Sequence, residues 1–325
     1  MERHRALVVT AGPEPAARAG IPGDSEAPWI GPACAILGTL GFSFKSILIK
    51  LAYAAAPVDA ITLLALRMLY SAPLFVVMAW WAGRGAGPIA RRDLAAILGL
   101  GFLGYYLASL LDFMGLRYIT ASLERLILYL YPTMVVILSA LFFGKPVTRR
   151  AVGALVLSYA GIALVFRHDA SIGDASATLL GGGLVFASAL AYAVYLVTAG
   201  GVIGRIGSMR FTALAMIAST AFVLAHFAMA RPLAALDVAP RIHLLSIAMA
   251  VFSTVVPTWL VAEAIRRLGA NGTSLVGSLG PVFTIALGAM LLDEPIHAIQ
   301  VAGAALVLAG VALVTAKPRG QIEPR

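Results

Sequence analysis

The chain has 325 residues, of which 61% are hydrophobic and 12% charged, with 24 Lys and Arg against 15 Asp and Glu. A soluble domain runs about 45–50% apolar and about 25% charged, so this composition excludes a soluble globular protein and equally excludes disorder. The net charge of +9 is scattered in ones, twos and threes between apolar runs, which excludes nucleic acid as a partner and marks membrane topology instead.

Residues 1–29 carry four prolines and mixed charges. Their longest apolar stretch, 6–9, is too short for the core of a signal peptide, and a disordered cytosolic tail is expected. Ten stretches then reach or approach the ~20 mostly apolar residues that span a bilayer: 30–52, 60–82, 94–115, 120–143, 150–166, 179–199, 211–229, 242–265, 271–292 and 298–315. The connections are short and hold the turn formers and charges. With the N-terminus inside, sixteen Lys and Arg of the tails and connections fall on the cytoplasmic side and four on the other. That asymmetry places both termini in the cytoplasm and the chain, as a multi-pass protein, in the inner (plasma) membrane. The single cysteine, Cys34, leaves no disulfide framework and no multi-cysteine metal site.

An internal repeat organises these spans. Sliding 116–165 by 149 positions lays it on 265–314 without a gap, and fifteen of the fifty pairs are identical. They include Arg117/Arg266, Pro132/Pro281, Pro146/Pro295 and Gly161/Gly310. A unit of five helices occurring twice must enter the membrane from opposite sides, a plan used by transporters. The expected fold is an all-α polytopic membrane protein of ten transmembrane helices in two inverted five-helix repeats, 30–167 and 179–316. A linker at 168–178 joins them, and a cytosolic tail follows at 317–325.

Phe42-Ser43-Phe44-Lys45-Ser46 in the first span, Leu66-Arg67 in the second, 121–132, Gly144-Lys145-Pro146 and Gly153…Gly161 carry a resemblance. Their second-half counterparts are 270–281, Asp293-Glu294-Pro295 and Gly303…Gly310. Over about 30–316 the chain resembles the drug/metabolite transporter superfamily, in particular its EamA-type members. Within it, 122–128 with Tyr131-Pro132-Thr133 is similar to a bacterial subgroup. The resemblance implies carriage of metabolites, amino acids, sugars or drugs, without naming the substrate. It departs at Lys145, where the family usually has an acidic residue of the kind kept at Glu294.

Ionisable residues near the centre of a membrane helix cost about 2.5–3.5 kcal/mol or more, so they face a cavity or a partner. Lys45, Arg67, Asp112, Glu124 and Arg125 all fall in the outer half of their spans at 1.5 Å rise per residue. The structural alternative is mutual pairing, for instance Arg67 with Glu124. Helical spacing adds polar faces: Tyr105, Ser109 and Asp112; Arg125 and Tyr129; Thr39, Ser43 and Ser46. Their images in the second half are Thr254 and Thr258, Ser274 and Ser278, and Ser188, Tyr192 and Tyr195. His226 reads as a packed histidine. Gly99-x-Gly101-x-x-Gly104 lies inside an apolar helix and reads as close packing, not a dinucleotide fingerprint.

No catalytic or metal-binding motif and no cofactor is expected. The reading is a secondary transporter for a small polar or amphipathic metabolite, amino-acid-like or drug-like. It works by alternating access, driven by an ion gradient, with Glu124 and Asp112 as candidates for a proton switch. Expected partners are a small-molecule substrate, the lipid bilayer and a coupling proton, in a monomer or homodimer. The rivals are a membrane-embedded transferase and a receptor-like accessory protein that transports nothing.

Overall fold

In the computed structural model, residues 29–144 and 146–315 are described, with the backbone alone at 270, 271, 274, 275, 314 and 315. The expected tails and Lys145 therefore lie outside the described residues. All elements among the described residues are helical. Eight helices are long and apolar enough to cross a membrane: α1 (Ile30–Ala55), α2 (Ala60–Gly83), α3 (Arg91–Gly115), α4 (Ala121–Phe143), α5 (Arg149–Ile172), α6 (Ala175–Ile206), α7 (Ser208–Ala230) and α8 (Pro240–Gly269). Two further apolar helices, α9 (Gly280–Leu291) and α10 (Ala298–Thr315), are shorter.

Local chemistry sets the helix ends. Asp59, Thr120, Thr148 and Asp174 stand at the N-caps of α2, α4, α5 and α6, each accepting from backbone N–H groups that have no partner within the helix. Gly144 (φ 61°) closes α4 in the left-handed conformation, which costs glycine little. The expected linker is mostly helical: α5 runs on to Ile172, and only Gly173 and Asp174 separate it from α6.

Three helices are interrupted. α3 widens into a π-helical turn at Phe102–Leu107, and α8 does so at Val251–Val255, whose first residue stands 149 positions after Phe102. α4 breaks at Tyr129 and Leu130, and its second piece starts at Tyr131 with Pro132 in the first turn. Pro281 occupies the matching place at the start of α9. Proline suits a first turn, where its missing N–H has no intrahelical partner to lose.

The segments 30–167 and 179–316 interleave. α1 packs on α8 and α9, α2 on α7, α3 and α4 on α6, and α5 on α10. The tightest approach is α5 to α10. A Cβ added to Gly161 would stand 2.6 Å from Gly303 O, and one added to Gly303 would stand 2.8 Å from Gly161 O. Small residues permit this backbone contact, which replaces hydrophobic drive as a source of helix association in lipid. α1 sits centrally, flanked by α3, α4, α8 and α9, and so carries Lys45 and Ser46 into the interior.

Candidate functional site

The charged residues of the first half converge around α1. Lys45 Nζ lies 2.6 Å from Asp112 Oδ2 and 3.8 Å from Glu124 Oε1. The Ser46 hydroxyl donates to Glu124 Oε2 (2.7 Å) and accepts from Arg125 Nη2 (3.3 Å). Arg125 also donates to Phe42 O (2.6 Å) and the Thr284 hydroxyl (3.1 Å). Arg67 Nε donates to Thr254 Oγ1 (3.1 Å), and its guanidinium lies 5.4 Å from the Phe113 ring centre. Arg67, Asp112 and Glu124 keep only 7%, 1% and 0% of their surface exposed.

The pairing differs from the expected Arg67–Glu124 partnership. Asp112 and Glu124 share Lys45, while Arg67 makes no ion pair among the described residues. The reason is position: Lys45 on α1 stands within reach of both carboxylates, whereas Arg67 on α2 turns to Thr254 and the Phe113 ring. Three cations face two carboxylates, and their hydrogen-bonding capacity is unequal. Arg125 is engaged through both Nε and Nη2. Arg67 Nη1, Asp112 Oδ1 and Glu124 Oε1 are buried with no hydrogen-bond partner. Unpaired buried polar atoms carry a desolvation cost of about 1–3 kcal/mol each, more where charged. Three such atoms fall within this one cluster, and buried polar atoms of this kind call for a partner such as a water, an ion or a ligand.

Beside the charges runs a chain of tyrosines. Tyr129 and Tyr131 meet edge-on (6.4 Å between centroids), Tyr131 meets Tyr192 (5.4 Å), Tyr192 stacks on Tyr195 (5.5 Å), and the Tyr195 and Tyr105 hydroxyls are 3.0 Å apart. Tyr129 also donates to Gly277 O, tying α4 to the segment before α9. The π turns contribute to both features, since Tyr105 and Thr254 each lie in one. Such turns widen a helix by one residue and recur at functional sites.

Other predicted residues are placed less centrally. The Ser43 hydroxyl donates to Thr39 O (3.0 Å) and Gly280 O (3.1 Å), so it ties α1 to α9. Thr258 donates back to Thr254 O (2.6 Å). Ser278 is half-buried next to Gly277, and the Ser274 side chain lies outside the described residues. Sequence reasoning missed Thr284, Phe113 and Tyr131. Tyr131 was signalled by its place before Pro132, which starts a helix at the break in α4. His226 accepts or donates a 2.9 Å bond with Tyr106 Oη, apart from the charged cluster. Among the described residues no three His, Cys, Asp or Glu side chains converge as metal ligands.

Glu294, in the connection after α9, reaches the start of α4. Its carboxylate accepts from Ala121 N (2.8 Å), Ser122 N (3.4 Å) and the Ser122 hydroxyl (3.0 Å). An acid there meets the positive end of the helix dipole, so this residue fastens second-half chain to a first-half helix.

Comparison with known proteins agrees with this architecture. The EamA-like transporter family profile matches residues 29–167 and 179–316. The chain belongs to the EamA-like transporter family. This EamA protein is 32% identical over 283 residues to a Bacillus subtilis protein named uncharacterized transporter YcbK, covering 82% of this chain and 87% of that one. It is 23% identical over 267 residues to an uncharacterized transporter of Archaeoglobus fulgidus, covering 82% and 92%. A solved crystal structure superposes with a TM-score of 0.58 at 20% identity, covering 87% of this chain and 96% of that one, a likeness of fold alone.

Proposed function

We propose that this EamA protein is a secondary transporter. It moves a small polar or amphipathic metabolite, amino-acid-like or drug-like, across the inner membrane by alternating access coupled to an ion gradient. The observation that carries the reading is the interior cluster of five charges, in which Arg67 Nη1, Asp112 Oδ1 and Glu124 Oε1 are buried without a hydrogen-bond partner. A substrate with an anionic group and a hydrogen-bond donor satisfies all three, the anion at Arg67 and the donor at the carboxylates. The tyrosine chain supplies an adjoining aromatic wall. Glu124, buried beside Lys45 and Asp112, is the group assigned to exchange a coupling proton.

The inverted arrangement belongs to the same proposal. Two family matches, π turns 149 positions apart and prolines at matching helix starts support two five-helix repeats, ten spans in all, with both termini cytoplasmic. The five charges come from the first segment and their partners Thr254 and Thr284 from the second, as expected when a site forms at the repeat interface.

Reconstitution tests the reading. Proteoliposomes holding this chain, loaded with a metabolite extract and given a pH gradient, should redistribute at least one compound. Arg67→Gln should abolish that movement without loss of folded protein. No protein-dependent movement of any compound in either direction would overturn the proposal.

A further inference from the structure

At the end of the bundle that the charge count places outside, a cleft of about 530 Å³ is lined by Tyr53, Pro57, Val58, Asp59 and Arg117. Its two charged residues are in different electrostatic states. Asp59 is saturated: Oδ1 accepts from Ile61 N (3.0 Å) and Thr62 N (3.2 Å), and Oδ2 from the Thr62 hydroxyl (2.7 Å) and Arg231 Nε (3.1 Å). Burial alone would raise this carboxyl, but the bonds from Thr62 and Arg231 outweigh it and hold it below the usual carboxylate range. The charge of Asp59 is therefore ionised and already matched by Arg231.

Arg117 has no such match. It is exposed, its guanidinium lies 5.8 Å from the Tyr53 ring centre, and it makes no ion pair among the described residues. The repeat makes the contrast specific. The counterpart of Arg117 is Arg266, which Glu263, three residues earlier, holds through Nε (2.8 Å) and Nη2 (2.5 Å). Three residues before Arg117 stands Met114, also exposed, in one turn with it through Arg117 N to Met114 O (3.3 Å). One half clamps its arginine and the other leaves it open over a cleft.

Beneath the cleft, the Tyr53 hydroxyl donates to Phe113 O (2.7 Å). Phe113 lies under Arg67, and its neighbour Asp112 holds Lys45. Through Tyr53 the cleft is thus tied to the turn of α3 that carries Asp112. A cation in a cleft raises the local concentration of anions, and a guanidinium adds planar two-point recognition of a carboxylate.

We propose that Arg117, backed by Tyr53, is an anion-recognition site that takes the carboxylate or phosphate of a small organic molecule. Its service as an entry station to the charge cluster rests on the transporter reading, but the anion site itself does not. A lipid headgroup offers the same anionic oxygens, so the test separates the two sources.

The test reads the local potential by thiol chemistry in the full chain. Pro57→Cys, with Val58→Cys as a second position, is placed in a Cys34→Ala background in discs of phosphatidylcholine. Its reaction rates with methanethiosulfonates bearing a sulfonate or a trimethylammonium group are compared. The sulfonate reagent should be favoured by about tenfold at low salt. Arg117→Gln should remove that preference, Arg117→Lys should keep most of it, and Met114→Glu, which installs the clamp of the other half, should suppress it. Benzoate at constant ionic strength should slow the sulfonate reagent in the parent and not in Arg117→Gln.

Equal rates for the two reagents, or a preference that Arg117→Gln leaves intact, would overturn the site. Insensitivity to benzoate, with slowing only when phosphatidylglycerol is added, would assign it to lipid and overturn the small-molecule proposal. A preference in a protein that moves no compound would keep the site and refute transport. Transport without a preference would do the reverse.

Discussion

Glu124→Gln separates a titrating group from a structural charge, and the geometry sets the magnitude. Glutamine keeps the shape and the bond from Ser46 (2.7 Å) and gives up an attraction to Lys45 at 3.8 Å. Lys45 retains Asp112 at 2.6 Å. Hydrogen bonds to charged groups contribute about 1.5–3 kcal/mol, and part of this one survives, so the loss is about 1–2 kcal/mol. Asp112→Asn removes the nearer partner, a buried pair whose breaking costs about 3–5 kcal/mol. Against a total stability of about 5–15 kcal/mol, the first variant stays folded and the second loses a large share of its margin. Fluorescence-detected gel filtration with a melting ramp measures both. In proteoliposomes Glu124→Gln should lose gradient-driven flux and keep counterflow exchange, which need not release a proton. If Glu124→Gln melts as early as Asp112→Asn and Glu124→Gln with Lys45→Met restores it, Glu124 is a structural counter-ion. The proton role then fails.

Asp59→Ala should cost about 0.5–2 kcal/mol through loss of the α2 N-cap, read as a lower melting temperature. Because the Asp59 carboxyl lies below its ordinary value when folded, its contribution is complete above an unfolded pKa of about 3.9 and fades as pH falls through the folded value. The melting difference between parent and Asp59→Ala should therefore be flat from neutral pH down to about pH 5 and shrink below about pH 4. Gly161→Val should collapse folded yield, since its Cβ meets Gly303 O at 2.6 Å, whereas Gly153→Ala, with only Leu313 Cδ1 at 3.9 Å, should express normally. Equal yields for those two variants would refute the close-contact reading of α5 and α10.

The membrane class was legible because composition alone decides it, and that Lys45, Asp112, Glu124 and Arg125 come together was foreshadowed by their similar positions along their spans at a fixed rise per residue. Their partners were not. Which cation meets Glu124 depends on how α1, α2, α3 and α4 pack around one another, and no single segment encodes that packing. The polar stripe Tyr105, Ser109, Asp112 assumes an unbroken 3.6-residue period. The π turn at Phe102–Leu107 adds a residue within it, so Tyr105 meets Tyr195 on α6 while Asp112 meets Lys45 on α1. On α1 the stripe Thr39, Ser43, Ser46 is only partly a lining, because Thr39 and Ser43 donate to carbonyls one turn back. The helical conformation of most of 168–178 was not legible, because polar residues such as His168 and Asp169 continue a helix at a membrane surface as readily as they end one.

The glycine contact of α5 with α10 has a mechanical consequence. At the Gly161–Gly303 contact the two backbones meet with no side chain of their own to readjust, so sliding there meets carbonyl oxygens directly. That line joins a helix of the first family match to a helix of the second. Under the proposed alternating access, such a contact favours rotation about the α5–α10 seam over sliding along it, with displacement growing with distance from the seam. Lys45 and Arg67 sit on α1 and α2, away from that seam, whereas Glu124 sits on α4, which packs against it, so such a rotation would change the distances within the charge cluster.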